Sequence, residues 1–188
     1  MAILARHLVA CGCHVVQTRE PGGTSIGEAI RAFLFDERYR HMDARAEILL
    51  YLASRAQHVE EKIRPALAAG QVVLCDRFTD ATRVYQGCGR GLSPETMIPL
   101  LDFAVAGVIP DLTFLLDIDV SVGLARISKR GDLNRFDRET GVFHETIRQG
   151  YLTLARRESG RIRVIRADAD IDTVAKEIRT HVDPLIHR

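Results

Sequence analysis

The chain has 188 residues, 46% of them hydrophobic, which is enough for one domain with its own core. The formal net charge is +1, and the 26 basic residues are spread among 25 acidic ones, which argues against a nucleic-acid-binding surface. The four cysteines lack the spacing of a disulfide framework or a zinc site, so we expect a reduced, cytoplasmic protein. The sequence also predicts neither a membrane span nor a secretion signal.

Predicted helices and strands alternate along the chain. Helical spacing of apolar residues predicts helices over 1–11, 25–35, 43–69, 94–106, 120–130, 141–158 and 170–185. Short apolar runs predict strands over 14–17, 71–75, 111–118 and 161–166. This alternation is typical of a doubly wound α/β domain in which helices flank a parallel sheet. We therefore expect residues 1–188 to form a single domain.

A rigid turn is predicted after the first strand. It contains Glu20 and Pro21, followed by two glycines at 22 and 23. Proline fixes φ and glycine permits close approach of the backbone, so the turn has a defined shape that suits contact with a ligand.

The long helix predicted over 43–69 carries Tyr51 and Arg55 four residues apart, with Pro65 as a predicted kink. Residues four apart lie on the same side of a helix, so an aromatic ring for a base and a guanidinium for its phosphate could serve one nucleotide. The alternative is that both side chains lie on a solvated face.

The strand over 71–75 is predicted to be buried on both faces and ends in Asp76 and Arg77. Ligands bind at the carboxyl edge of open α/β sheets, and the polar residues from 79 to 86, followed by a glycine-rich loop, predict a pocket wall there. The alternative is that Asp76 and Arg77 only pair with each other.

A charged segment over 131–140 cannot belong to the core. Its length and its arginines suit a mobile lid over a phosphate site, spanning about 126–140. A solvated loop is the alternative interpretation.

Several short motifs resemble those of bacterial thymidylate kinases, nucleoside monophosphate kinases that make dTDP from dTMP and ATP. The motifs are Arg19-Glu20-Pro21-Gly22-Gly23, Leu-Ala-Ser-Arg at 52–55, Asp76-Arg77-Phe78, Ala-x-x-x-Tyr-Gln-Gly at 81–87 with Gly89-Arg90-Gly91, Pro110-Asp111-Leu112-Thr113, and Arg130-Gly131. The resemblance covers essentially the whole chain. It implies the three-layer α/β fold of the P-loop nucleoside monophosphate kinases, with a parallel sheet flanked by helices.

The resemblance also implies a role for individual residues at a dTMP site. The phosphate would be held by Arg31, Arg55 and Arg77. Tyr51 would replace the usual Phe that stacks on thymine, and the edge of the base would form hydrogen bonds with Thr82 and Gln86. Tyr85 would pack against the sugar, while Glu20 and Pro21 would close the sugar and phosphate side. All of these are expectations for substrate binding.

On the donor side, the resemblance implies ATP with Mg²⁺, bound by a protein that forms a homodimer. Asp76 would help organise magnesium and phosphate, and the lid arginines Arg126, Arg130 and Arg135 would reach the phosphates being exchanged. Asp76, Arg130 and Arg135 are thus the expected catalytic residues, and Arg126 and Arg130 the expected ATP contacts.

One family feature has no counterpart here. The family begins with a strand and the loop G-x-x-x-x-G-K-[ST], immediately before the helix with which this sequence opens, and no Lys in this chain follows a Gly. The missing strand is central in the sheet, and unpaired backbone groups would be costly there. We therefore expect the natural protein to be longer. The alternative is a shortened protein whose sheet has closed over the gap.

Two other functions stay open from the sequence. The chain could bind thymidylate without transferring phosphate, as a non-catalytic remnant of a kinase. It could also be a kinase for another nucleoside monophosphate.

Overall fold

The computed structural model, which describes residues 1–129, 131 and 133–186, has helices alternating with short strands. The α-helices of this part of the chain are α1 (Ala2–Ala10), α2 (Ser25–Phe35), α3 (Ala44–His58), α4 (Arg64–Ala68), α5 (Thr79–Thr82), α6 (Pro94–Val105), α7 (Val120–Ser128), α8 (Gly141–Arg157) and α9 (Ile171–Ile186). A 3₁₀ turn covers Glu37–Tyr39, and π turns cover Val59–Ile63 and Arg83–Gly89. None of these helices has the length and apolar content needed to cross a bilayer.

The strands lie where the sequence predicts them, and they pair in parallel. Strand β1 (Val15–Arg19) pairs with β2 (Val72–Asp76), in a register that places Val15 opposite Val72. Strand β3 (Thr113–Asp117) pairs with β4 (Ile162–Arg166), with Thr113 opposite Ile162. The predicted α/β class with parallel strands is therefore confirmed.

The described residues form two separate two-stranded sheets, because no backbone pairing joins β2 to β3. This arrangement affects the burial of β2. The sequence predicts that β2 is buried on both faces, and this prediction is wrong: Val72–Cys75 are only half-buried and Asp76 is exposed. A strand without a partner on one edge leaves its side chains partly accessible.

Side chains link the two sheets at one point. Arg161 lies just before β4, and both of its terminal nitrogens donate hydrogen bonds at 2.8 Å to the buried carboxylate of Asp80 in α5. The hydroxyl of Thr113, at the start of β3, also donates to Asp80, at 3.1 Å. These bonds fix the segment that follows β2 against the second sheet.

Helix α3 is packed on two sides. Ile48 and Leu52 form a core cluster with Met97 and Leu101 of α6, and α2 contributes Leu34 to a second cluster with Tyr51. Burial of large apolar side chains stabilises a fold by roughly 1.5–3 kcal/mol each. The orientation of α3, and hence of every side chain on it, is therefore fixed by the core.

The two π turns are differences from the sequence-based prediction. The irregularity that the sequence places at Pro65 begins at Val59, where the helix passes from α3 into a π turn and then into α4. The glycine-rich stretch predicted as a loop is helical as far as Gly89, and a Cβ at Gly89 would lie 2.9 Å from atoms of Ile147 and Phe143. Glycine is required at this position because α8 packs closely against the backbone, and not because the chain turns there.

Gly27 allows α2 to contact the turn that follows β1. A Cβ at this position would lie 2.7 Å from the carbonyl oxygen of Gly22, so Gly27→Ala forces the backbone of the turn to move. We expect the free energy of unfolding, measured with urea, to fall by about 1–3 kcal/mol.

The control variant is Gly123→Ala in α7, where the nearest atom to the added Cβ is Ile118 Cγ2 at 3.6 Å. We expect this change to be neutral or to stabilise the protein by up to about 1 kcal/mol. Equal effects of the two variants would contradict the packing argument.

Candidate functional site

A narrow cavity lies near the carboxyl ends of β1 and β2. It is lined by Glu20, Tyr51, Arg55, Arg77, Phe78, Ala81, Thr82 and Gln86. These residues come from three parts of the sequence: the turn after β1, helix α3, and the segment that follows β2. The structure thus brings together six of the residues predicted to bind substrate.

One face of α3 supplies the centre of this site. Tyr51 and Arg55 point to the same side, together with Glu47 one turn earlier. Tyr51 is 5% exposed and Arg55 is 1% exposed. The alternative interpretation, in which both lie on a solvated helix face, is therefore wrong.

Arg55 is held by a buried network of polar side chains. Its Nε donates to Glu20 Oε2 at 2.7 Å, and the other oxygen of Glu20 lies 2.9 Å from His58 Nδ1. His58 Nε2 lies 2.7 Å from the hydroxyl of Thr18. A buried ion pair is stable only when such further hydrogen bonds satisfy its remaining groups.

One nitrogen of Arg55 is left without a partner. Nη1 is buried and donates a hydrogen bond to none of the described residues. An unsatisfied buried donor costs about 1–3 kcal/mol, and more when it belongs to a charged group. Because Arg55 lines the cavity, this donor indicates a site for an anionic ligand.

A second guanidinium, that of Arg77, lines the same cavity. Arg77 has a φ of 69°, in the left-handed region that is uncommon for residues other than glycine. Its guanidinium carbon lies 4.2 Å from the centroid of the Tyr85 ring. Arg77 thus packs on Tyr85, and the described residues contain no ion pair between Asp76 and Arg77.

The predicted lid is only partly a surface segment. Phe136 is buried, with its ring centroid 6.5 Å from that of Tyr51 and 6.0 Å from that of Tyr85. Arg135 is also buried; it donates to Glu47 Oε2 at 2.7 Å and to the carbonyl oxygen of Leu34. The second half of the segment is therefore anchored beside the cavity.

The remaining predicted residues lie around the cavity or away from it. Arg31 donates to the carbonyl of Pro21 at 3.0 Å. Asp76 is exposed, and its carbonyl accepts the N–H of Glu20. Arg126 is exposed and donates to the carbonyl of Ala167 at 3.0 Å, and Arg130 lies outside the described residues. Their predicted roles stay predictions.

Sequence reasoning missed Glu47 and His58. Glu47 is fully buried and accepts from Gln86 Nε2 at 2.8 Å, so it connects α3 to the residues after β2. The available signal was spacing, because Glu47 and His58 lie four residues before Tyr51 and three after Arg55 on the same helix. Phe136, in the charged lid segment, had no such signal.

The described residues do not contain a cluster of side chains that is typical of a metal site. Among the described residues there is no group of three or more His, Cys, Asp or Glu side chains that could hold a metal ion. Mg²⁺ at phosphate-transfer sites is usually bound by one or two carboxylates together with substrate phosphates. The expected role of Asp76 near magnesium therefore stays a prediction.

The fold and the cavity define a parallel α/β protein with an arginine-lined cavity near the carboxyl ends of its strands. Comparison with known proteins narrows this class. The family described as Thymidylate kinase matches residues 1–178. The chain is 48% identical over 185 residues to thymidylate kinase from Solidesulfovibrio magneticus, covering 95% of this chain and 88% of the relative. It is 49% identical over 168 residues to the protein of that name from Geobacillus thermodenitrificans, covering 88% and 75%.

A solved structure gives the same result. The crystal structure of thymidylate kinase from Ehrlichia chaffeensis superposes with a TM-score of 0.77 at 28% identity, covering 96% of this chain and 89% of that one. The chain therefore belongs to the thymidylate kinase family.

The buried network around Arg55 leads to a stability prediction. Glu20→Ala leaves the Arg55 cation buried without its carboxylate, so we expect the free energy of unfolding to fall by about 3–5 kcal/mol. The matched control is Glu60→Ala, which breaks the exposed pair between Glu60 and Arg64 and is expected to cost at most about 0.5 kcal/mol. Urea unfolding measures both, and similar losses would contradict the account of Arg55.

The buried phenol of Tyr51 predicts a pH dependence. Burial raises the pKa of Tyr51 from 10.0 to about 12. In the unfolded chain the phenol ionises near pH 10, so the stability that neutral Tyr51 provides is complete below pH 10 and is lost as the pH rises towards 12. We expect the unfolding free energy to fall by up to about 3 kcal/mol over this range.

The variant Tyr51→Phe lacks the titrating group and should show a smaller decline over the same pH range. Urea unfolding of both proteins between pH 9 and 12 measures the difference. An identical decline in the two proteins would show that Tyr51 is not the group responsible.

Proposed function

We propose that this chain binds dTMP in the cavity between α3 and the segment after β2, and that it belongs to a kinase that phosphorylates dTMP to dTDP with ATP as the donor. The observation that carries the proposal is the buried Nη1 of Arg55, which has no hydrogen-bond partner among the described residues and lies at the wall of a cavity that Arg77 also lines. Membership of the thymidylate kinase family gives the reaction.

Two guanidinium groups at one cavity suit a phosphate monoester. Arginine presents planar N–H groups that match phosphate oxygens in pairs, and such charge-assisted bonds are stronger than neutral ones. Glu20 holds Arg55 by its Nε, which leaves the terminal nitrogens directed elsewhere. Arg31 is the proposed third cation, since it lies close enough to bond Pro21 in the same turn.

The rest of the cavity suits a pyrimidine nucleoside. We propose that the ring of Tyr51 stacks on the base, that Thr82 and Gln86 bond its edge, and that Tyr85 packs against the sugar. In this structure the side chains that line the cavity leave no open space for a nucleotide. Binding would therefore require side chains to move, and Phe136, beside Tyr51 and Tyr85, is the proposed mobile group.

In the proposed reaction an oxygen of the dTMP phosphate attacks the γ-phosphorus of ATP, and ADP leaves. Such transfer depends on positioning and on neutralising charge, for which arginines are the usual groups. Arg126 and Arg130 are the proposed donors to these phosphates. Arg135 donates to Glu47 and to the carbonyl oxygen of Leu34, so we propose that it anchors the lid. When bound, Mg²⁺ supplies further neutralisation of the phosphates.

We also propose that transfer depends on a strand and a phosphate-cradling loop that this sequence does not contain. The motif G-x-x-x-x-G-K-[ST] is absent from the 188 residues, and its backbone N–H groups and Lys would otherwise hold the donor phosphates. The separation of the described strands into two pairs supports this proposal, since one further parallel strand between β2 and β3 would join them into one sheet.

Finally, we propose a cytoplasmic homodimer, as the family resemblance implies. Phe103 on α6 is 86% exposed, and Leu49 on the adjacent helix α3 is also exposed, which would suit a contact between copies. Light scattering of the purified chain would give the oligomeric state.

Binding of dTMP is tested by calorimetry with a matched pair of arginine variants. We expect Arg77→Gln to weaken dTMP binding by about 10- to 100-fold, because it removes a charge-assisted contact to the phosphate. Arg19→Gln changes an exposed arginine of the neighbouring strand that pairs with Glu28, and it should leave binding unchanged. Absence of dTMP binding by the unmodified chain would contradict the proposed site.

Turnover is tested separately, with a strand and a loop of the form G-x-x-x-x-G-K-[ST] fused ahead of Met1. We expect ATP-dependent dTDP formation from the extended protein and none from the 188-residue chain, which would bind dTMP without turnover. Replacing the loop Lys by Ala is the control. No dTDP from the extended protein would end the kinase proposal, and dTDP from the 188-residue chain would contradict the need for the loop.

A further inference from the structure

The amide of Gln86 is held in one orientation by Glu47. Gln86 is 1% exposed, and its Nε2 donates to Glu47 Oε1 at 2.8 Å. Gln86 also lines the cavity, whereas Glu47 is not among the lining residues. Glu47 therefore acts on the cavity wall through Gln86, and on the segment that contains Phe136 through Arg135.

The carboxylate of Glu47 is itself fixed by two arginines. Arg135 donates to Oε2 at 2.7 Å, and Arg90 donates to Oε1 at 3.4 Å. Arg90 is in turn paired with Glu139 at 2.7 Å. A carboxylate in this setting only accepts hydrogen bonds.

The two arms of a glutamine amide are chemically different, and their positions follow from the hydrogen-bond network around them. If Gln86 turned its oxygen towards Glu47, two acceptors would face each other in a buried site. The NH₂ arm therefore belongs on Glu47, and the oxygen is the arm left for a ligand. No described residue donates to that oxygen.

We propose that Glu47 is a positioning residue that selects the base by fixing the amide of Gln86. The cavity then offers a hydrogen-bond acceptor at this point, which matches a base edge with an N–H donor, such as N3–H of thymine or uracil. Cytosine has an unprotonated N3 and is rejected because two acceptors meet. This inference rests on the proposed function, namely that the cavity takes a nucleoside monophosphate.

The inference predicts how specificity changes when Glu47 can donate. In Glu47→Gln, the new amide can keep its oxygen towards Arg135, which makes the shorter bond at 2.7 Å, and turn its NH₂ towards Gln86 at the loss of the 3.4 Å contact from Arg90. The amide of Gln86 then reverses and presents its own NH₂ to the cavity. The preference for dTMP over dCMP should fall by about 10- to 100-fold, since a mismatched buried hydrogen bond has an effect of this size.

Calorimetric titration with dTMP, dUMP and dCMP measures the preference without any need for turnover. The nucleotide dUMP retains N3–H and lacks the methyl group, so its preference over dCMP should fall in the same variant. A fall for dTMP alone would point to the methyl group and overturn the inference.

Two control variants separate orientation from general damage to the network. Glu47→Asp keeps an acceptor-only group and should keep the preference for dTMP, even if all three nucleotides bind more weakly. Glu139→Gln removes the carboxylate partner of Arg90 without touching Gln86, and it should leave the preference unchanged. Loss of the preference in Glu139→Gln would overturn the inference.

A second measurement covers the case in which Glu47→Gln does not fold. In unmodified, ligand-free protein with ¹⁵N-labelled glutamine, the side-chain NH₂ of Gln86, assigned by its absence in Gln86→Met, should exchange slowly with solvent, because it donates to the buried carboxylate of Glu47. Exchange as fast as that of the exposed glutamine side chains would overturn the inference.

The outcomes also separate this inference from the proposed function. If the unmodified chain binds none of the three nucleotides, the proposed function fails and the inference fails with it. If the chain binds dTMP but does not discriminate against dCMP, or if Glu47→Gln leaves the discrimination intact, only the inference fails.

Discussion

The interaction on which the site depends is the buried pair between Arg55 and Glu20. Both side chains are almost completely buried, and the pair is completed by His58 and Thr18, so the turn after β1 and helix α3 are tied together by charged hydrogen bonds. Desolvating two charges is costly, and burial of a cation with one nitrogen left unsatisfied is more costly still. An anionic ligand in the adjacent cavity would offset this cost by accepting a hydrogen bond from Nη1 of Arg55, and the residues that line the cavity suit such a ligand.

Helix α3 carries the other side chains that hold the site together. Its buried face presents Glu47, Tyr51 and Arg55 in successive turns, and each directs a different partner: Glu47 holds Gln86 and Arg135, Tyr51 lies against Phe136, and Arg55 holds Glu20. Because the opposite sides of α3 are packed on α2 and α6, none of these groups can shift alone. The proposed binding of phosphate and base, and the anchoring of Arg135, thus all depend on one rigid helix.

Much of this could be predicted from the sequence, because the periodicity of apolar residues fixes the helices and strands, and the spacing of Tyr51 and Arg55 places them on one helix face. The position of Arg77 after a strand also indicates the edge of the sheet where it lies. The role of Glu47 could not be predicted in this way, because its partners Gln86 and Arg135 are 39 and 88 positions away in sequence. The same holds for Phe136, whose burial depends on tertiary packing within a charged segment. The half-exposure of β2 was missed because an apolar run does not report whether a neighbouring strand is present.

The proposed site depends on a single geometry, in which a phosphate contacts Arg55 and Arg77 while the edge of a pyrimidine base forms a hydrogen bond with Gln86. The most direct test is a crystal structure of the chain soaked with dTMP. The account predicts that a phosphate oxygen lies within hydrogen-bonding distance of Arg55 Nη1 and that the base N3 faces the side-chain oxygen of Gln86. A dTMP molecule bound elsewhere on the protein, or bound here with its phosphate away from both arginines, would contradict it.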